Sequence, residues 1–259
     1  MFTPSFIPES RCETSAFLYP WERLNIYDET CVHKLDTRLA ALEDRICRAC
    51  EAAQRPRSDV TLIGASKAMP STRVREAAML GVSNFGENYL DEALEKISTT
   101  KDLNLIWHYI GRIQSRKSKA IALNFDWVHT LDRAKVAHRL NDYCEQDKPL
   151  QVLIQVNINR DPAKAGVNPE NAFTLLDTLL KLEYLQPRGL MTILATDADP
   201  TDSYQSVARL FDTLGDSLTG EEAVKWDTLS MGMTGDLEAA IACGATHIRI
   251  GTALFGARD

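Results

Sequence analysis

The chain is 259 residues long, 44% hydrophobic and 25% charged, with a formal net charge of -7. That length holds two average domains or one large α/β barrel of about 250 residues, and the composition is that of a folded globular protein. The acidic balance leaves no electrostatic footprint for nucleic acid or anionic lipid, and no segment approaches the roughly 20 apolar residues of a membrane span.

Residues 1–30 are rich in proline and aromatics and lack periodicity. They are expected to form an N-terminal extension that packs loosely or stays disordered. No basic leader precedes a continuous apolar run, so the segment does not read as a signal peptide. A helix is expected over 31–54: Val32, Leu35, Leu39, Leu42, Ile46, Ala49 and Ala53 recur at spacings of three and four until Pro56 stops the run. Cys47 and Cys50 form a C-x-x-C inside this helical pattern, but no second pair or His cluster completes a metal site. The six scattered cysteines are expected to be reduced thiols of a cytoplasmic protein.

From there strands and helices alternate. Strands are expected at 60–66, 82–86, 103–111, 126–131, 150–158, 187–193, 226–232 and 246–251. Helices are expected near 71–80, 89–97, 114–123, 133–145, 169–182, 202–214 and 235–242. Eight strands separated by helices point to a parallel sheet, and eight is the number that closes a single (β/α)8 TIM barrel, here over residues 31–259. No G-x-G-x-x-G follows the first strand to favour an open doubly wound sheet. No helix is expected after the last strand, and the helix at 31–54 could fill that gap in the outer ring.

Strand parity adds orientation. On the fifth strand Val152, Ile154, Val156 and Ile158 share an apolar face, which belongs against the helices. Gln151, Leu153, Gln155 and Asn157 share the other. By the same rule His247, Arg249 and Gly251 on the eighth strand face the lumen, as do Thr61, Ile63, Ala65 and Lys67 on the first. Barrel enzymes build their sites at the C-terminal mouth, where Asn157, Arg249 and Lys67 are expected to point.

Two loops there suggest a phosphate cradle. "SMGMTGD" (230–236) follows the seventh strand and "RIGTALFG" (249–256) the eighth. Glycines let backbone N–H groups approach an anion, and hydroxyls add donors. Ordinary Gly-containing turns are the plainer reading of each. Lys67 ends an apolar strand opposite these loops. It is either a solvated lysine or an amine that partial burial can strip of its proton and that then forms a Schiff base with an aldehyde. A phosphorylated aldehyde of suitable size is pyridoxal 5′-phosphate (PLP). Arg249 would lie at the ring or the phosphate edge, or pair with a carboxylate in the lumen. Asn88 could contact the cofactor, while Glu87 and Glu92 could cap and flank the next helix. Arg112, Arg116, Lys117 and Lys119 form a basic cluster, either a solvated helix face or a surface anion site.

"GASKAMP", "FGENYLDE", "WHYIGRIQSRK", "VHTLDR", "VNINRDPAKAG", "GLMTI", "LSMGMTGDLEAAI" and "IRIGTALFG" together resemble the signatures of the pyridoxal phosphate homeostasis proteins, single-domain relatives of the alanine racemase barrel. The resemblance covers residues of about 31 to 257. It implies a barrel of the alanine racemase N-terminal type with PLP joined to Lys67. It also implies Ser230, Gly232, Thr234, Gly251 and Thr252 in or beside the phosphate cradle, and Arg249 near the pyridine nitrogen. Thr234 stands where the family more often has serine, which keeps the hydroxyl. Gly64 replaces a bulkier residue, which is expected only to loosen the packing behind the lysine.

Function then divides two ways. A carrier would hold PLP and supply it to PLP-dependent apo-enzymes without turning over a substrate. A racemase needs acid/base groups on both faces of the substrate α-carbon. Alanine racemases take the second group from a C-terminal domain and a dimer partner, and this sequence ends eight residues after Gly251. An arginine at the ring nitrogen would also weaken the ring as an electron sink. The carrier, as a cytoplasmic monomer, is the expected function.

Overall fold

The computed structural model describes residues 29–145 and 147–257, with side chains from residue 34 onward. The expectation for the extension falls almost wholly outside these residues.

A long helix, α1 (Glu29–Ala52), precedes the eight strands. These are β1 (Thr61–Ala65), β2 (Asn84–Glu87), β3 (Ile106–Tyr109), β4 (Trp127–Leu131), β5 (Leu150–Val156), β6 (Leu185–Thr192), β7 (Thr228–Ser230) and β8 (His247–Ile250). All pair parallel and in chain order, and β1 closes on β8 with Thr61 opposite His247 and Ile63 opposite Arg249. The expected (β/α)8 barrel is the observed fold.

The helices are α2 (Ser71–Met79), α3 (Leu90–Thr99), α4 (Ser118–Asn124), α5 (Ala134–Asn141), α6 (Pro169–Leu179), α7 (Pro200–Gly215), α8 (Gly220–Lys225), α9 (Leu237–Ala242) and α10 (Thr252–Phe255). The extra helix α8 escaped the sequence reading because it has no apolar stripe to detect; its Val224 points into solvent. The ladders are shorter than the apolar runs that announced them. The run 103–111 pairs only over Ile106–Tyr109, since β3 keeps register with β4 for two residues before the strands part.

Two cores follow from the alternation of side chains. Val152, Ile154 and Val156 of β5 belong to the large shell between sheet and helices. Ile63, Ala65, Ile110, Leu153 and Met191 are buried outside that shell, in the lumen. A parallel sheet covered on both faces needs this double set of apolar residues.

The gap after β8 is closed in two ways. The one-turn helix α10, too short to read from sequence, follows Gly251, and α1 lies across it and α9. Arg38 Nη1 of α1 donates to the carbonyl of Phe255 at 3.1 Å, and Arg45 reaches Glu238 at 2.8 Å. Leu35, Leu42 and Ile46 of α1 are completely or almost completely buried. Ile46→Ala is therefore expected to cost about 3 kcal/mol, as a full-length core truncation does. The midpoint of urea unfolding measures this. An unchanged midpoint would mean that α1 is an ornament rather than part of the barrel.

The packing behind the lysine is not loosened at Gly64. A Cβ there would lie 3.2 Å from Leu254 Cδ2 and 3.5 Å from Phe255 Cζ, so side chains of α10 occupy the space. Cys47, Cys50, Cys144 and Cys243 are free, and no cluster of metal-ligating side chains occurs among the described residues. Burial raises the Cys50 thiol pKa, against the pull of Arg57 and Arg55. Among the described residues no helix is long and apolar enough to cross a membrane.

Candidate functional site

A cavity of about 330 Å³ opens at the C-terminal mouth. Six of the eight residues singled out from sequence line it: Lys67, Asn88, Thr234, Arg249, Gly251 and Thr252. Met69, Ile110, Met191, Ile193 and Met233 supply its apolar walls. A pocket of this size, apolar with a few convergent polar groups, is the usual form of a small-molecule site.

Lys67 leaves the end of β1 in a tight turn. Met69 N–H donates to the carbonyl of Ser66 at 3.0 Å, and Ala68, the third residue of this turn, has φ +60°. That position normally favours glycine or asparagine. A side chain in the left-handed region costs on the order of 1 kcal/mol, so other contacts must hold the turn.

Asn88 lies just beyond β2. Its Oδ1 is buried with no hydrogen-bond partner, an oxygen waiting for a donor. Gly111 fixes the Asn88 backbone: a Cβ at 111 would stand 2.0 Å from the Asn88 carbonyl oxygen, so only glycine allows the approach.

The turns after the neighbouring strands β7 and β8 both line the cavity. Asp236 shapes the first, taking the Met233 N–H at 2.6 Å on Oδ1 and the Tyr204 hydroxyl at 2.8 Å on Oδ2. Burial, then the Asp236 charge, pushes the Tyr204 pKa upward, so it stays a donor. Gly235 has open space where a Cβ would stand, and the Thr252 and Ala253 amides open α10 ahead of Leu254 and Phe255, which donate to the Gly251 carbonyl at 3.0 and 2.8 Å. With the hydroxyls of Thr234 and Thr252, this donor set suits a phosphate.

Gly232 and Ser230 do not line the cavity. Gly232 has φ +96° and lies where a Cβ would meet Ala240 Cβ at 2.7 Å, which packs the turn onto α9; its carbonyl accepts Arg249 N–H at 3.0 Å. Ser230 sits beneath Arg249, which donates from Nη1 to Ser230 Oγ and from Nη2 to the Thr192 carbonyl, both at 2.8 Å. Burial lowers the Arg249 pKa, and Tyr204 and Asp236 oppose that shift.

Below Ser230 a line of hydrogen bonds crosses the lumen. His129 Nδ1 meets Ser230 Oγ at 2.8 Å, His129 Nε2 meets His108 Nδ1 at 2.9 Å, and His108 Nε2 meets Asn84 Oδ1 at 2.9 Å. Arg249 can only donate at one end, and Asn84 Oδ1 can only accept at the other. Every proton between is thereby assigned: Ser230 donates to His129, His129 to His108, and His108 to Asn84. A proton added to His108 Nδ1 would set N–H against the His129 N–H, and one added to His129 Nδ1 would displace the Ser230 proton, so the line as drawn has both imidazoles neutral. Burial is the main force holding both pKa values well below the ordinary imidazole range. His247 nearby adds to it for His108; His108, His247 and Arg249 add to it for His129.

Asn157, expected at the mouth, closes its own loop instead. Its Nδ2 donates to Asp161 O at 2.8 Å and its Oδ1 accepts from Asp161 N at 3.0 Å. The basic cluster does not converge on one point: Lys117 pairs with Asp91 at 3.2 Å and Lys119 lies over the Tyr143 ring. The solvated-face reading suits that spread. The sequence reading put His247 in the lumen but gave no role to Asp236, His108 or His129, although the same parity turns both of these rings inward.

A family model described as alanine racemase, N-terminal domain, matches residues 37–259. The pyridoxal phosphate homeostasis protein of Pseudomonas aeruginosa is 46% identical over 222 residues, 85% of this chain and 94% of that one. Its counterpart in Haemophilus influenzae is 43% identical over 227 residues, with 85% and 94% covered. Among solved structures, PipY of Synechococcus elongatus with PLP bound is 33% identical, with a TM-score of 0.72, covering 86% of this chain and all of that one. An alanine racemase of Clostridium difficile, 17% identical with a TM-score of 0.65, covers 87% of this chain and 57% of that one and shares the fold. The chain belongs to the pyridoxal phosphate homeostasis protein family, built on the alanine racemase N-terminal barrel.

Proposed function

We propose that this chain binds PLP, carries it on Lys67 and supplies it to PLP-dependent apo-enzymes, as a cytoplasmic monomer without substrate turnover. One observation carries this reading: a single cavity gathers the Lys67 amine, an unpartnered Asn88 oxygen, Arg249 and two glycine–threonine turns. The solved relative with PLP bound, and the names of relatives above 40% identity, support it.

When bound, the cofactor would bring an electrophilic aldehyde carbon and a pyridine ring to the cavity. The residues of the chain divide the work of holding it. Thr234, Gly235, Gly251 and Thr252 offer hydroxyl and amide donors for a phosphate. Asn88 Oδ1 offers an acceptor for a ligand hydroxyl. Arg249, with two of its five donors spent on Ser230 and Thr192, keeps others free. A guanidinium donates to a pyridine nitrogen without protonating it, which weakens the ring as an electron sink. Lys67 and Arg249 are the only titratable side chains in the described lining. Lys67 is then the single group suited to moving a proton, which favours carrying over racemisation.

Spectral titration of the PLP-free chain, followed by mixing with a PLP-free apo-enzyme, tests the proposal. Stoichiometric colour, then recovery of the apo-enzyme's activity, is expected. L-alanine should keep its optical rotation beyond what free PLP causes. Racemisation well above that background would replace the carrier with an enzyme.

A further inference from the structure

Glu87 and Glu92 do more than cap or flank a helix. Behind the Lys67 turn, on the side of the sheet that faces α3, lies a cluster the cavity does not use. Lys96 of α3 and Glu87 of β2 are buried, with side-chain exposures of 4% and 0%. Lys96 Nζ donates to Glu87 Oε1 and to the backbone carbonyl of Ser66, both at 2.7 Å, and approaches Glu92 Oε2 at 3.4 Å. Ser66 Oγ donates to Glu87 Oε1 at 2.6 Å. Glu92 Oε2 accepts the backbone N–H of Ala68 at 3.0 Å.

The placement of two of these bonds matters. The Ser66 carbonyl belongs to the peptide group before the Lys67 Cα, and the Ala68 N–H to the one after it. Both peptide planes flanking Lys67 are thus held from α3, which fixes the direction in which the Lys67 side chain departs. The strained φ of Ala68 is kept by the same contacts.

Stability alone gives a poor account of this cluster. A buried ion pair contributes little net stability, because the desolvation of two charges offsets their attraction, and apolar residues of similar size often serve as well. Burial raises the Glu87 pKa even though Lys96 and Ser66 pull it down. Glu87 Oε2 has no partner at all.

We propose that Lys96, Glu87 and Glu92 are positioning residues that hold the Lys67 amine toward the cavity for attack on an aldehyde. This rests on the PLP-binding reading above. In that condensation Lys67 sheds one ammonium proton to solvent and forms a C=N bond, and its other two protons leave with the carbonyl oxygen as water, with no oxidant or reductant. The cluster touches none of the reacting atoms and acts only by setting where the amine begins.

The test compares two ligands on the full chain: PLP, and pyridoxine 5′-phosphate, which has an alcohol in place of the aldehyde and cannot condense. Lys96→Met is expected to weaken PLP uptake about tenfold, equivalent to about 1.4 kcal/mol, and pyridoxine 5′-phosphate binding by no more than about twofold. In a Lys67→Ala background the same substitution should leave PLP affinity unchanged. Should Lys96→Met not fold, Glu92→Ala, whose side chain is 38% exposed, is expected to give a smaller selective loss that Glu92→Gln largely restores. Equal weakening of both ligands, or no loss for PLP, would overturn the proposal by reducing the cluster to a packing element. A wild-type chain that takes up neither ligand would sink the binding reading itself, and the positioning role with it.

Discussion

Lys67→Ala is expected to leave the chain colourless after incubation with PLP, with apparent affinity reduced at least about tenfold. The covalent link contributes binding that the phosphate turns cannot replace, and each tenfold loss corresponds to about 1.4 kcal/mol. The fold should hardly register the change. Lys67 is half-exposed at the end of β1, and truncation of such a residue stays within about 0.5 kcal/mol. Absorption spectra and urea midpoints measured on the same preparations separate the two effects. A Lys67→Ala protein that remains as yellow as the wild type would place the amine elsewhere and remove the basis of the functional reading.

The second large effect concerns acid. His108 and His129 are neutral and fully buried, with pKa values held well below the ordinary range. In the unfolded chain they would titrate near pH 6.5. Below that pH the unfolded state binds protons that the folded state refuses, so stability falls as pH falls. With His247, whose pKa burial pushes down to about 4, three such groups give a limiting slope of about 4.1 kcal/mol per pH unit, approached near pH 5. Glu87 works in the opposite sense: its raised pKa lets the folded state bind a proton first and removes up to one proton from the difference. The net slope near pH 5 should lie between about 2.7 and 4.1 kcal/mol per unit, and become shallower toward pH 6.5. The groups facing this chain are Asn84, Trp127, Ser230, Arg249 and His247, whose own pKa is pushed down to about 4, chiefly by burial. Urea midpoints at several pH values measure the slope. A flat profile would reject the neutral arrangement, as would His108 or His129 ring-proton resonances that shift near pH 6.

The barrel could be read from the sequence because a covered parallel sheet writes itself as short apolar runs, and helices between them write a different period. Lys67, Arg249 and the turns after β7 and β8 were legible for a related reason. Strand parity and strand order alone put them at one mouth. Ser230 shows where parity stops being enough. It has the right face and the right strand, yet lies one layer too deep, beneath the arginine that shields it from the cavity. α10 is too short to carry a period, and α8 buries no apolar stripe that would show one. The contacts of Lys96 were invisible because a lysine at the third turn of an amphipathic helix reads as solvated until the neighbouring strand shows two acceptors waiting for it.

The way α1 completes the ring has a consequence for biosynthesis. Arg38 and the carbonyl it reaches at Phe255 are 217 residues apart in sequence. At ribosomal speeds of about 5 to 20 residues per second, the first helix emerges roughly 10 to 40 s before its docking surface exists. During that wait its greasy stripe, Leu35, Leu42 and Ile46 included, has no permanent home, and the nascent barrel stays unlatched. Among the described elements the first to be synthesised is thus one of the last that can be seated, which makes it a natural segment for a holding chaperone to meet.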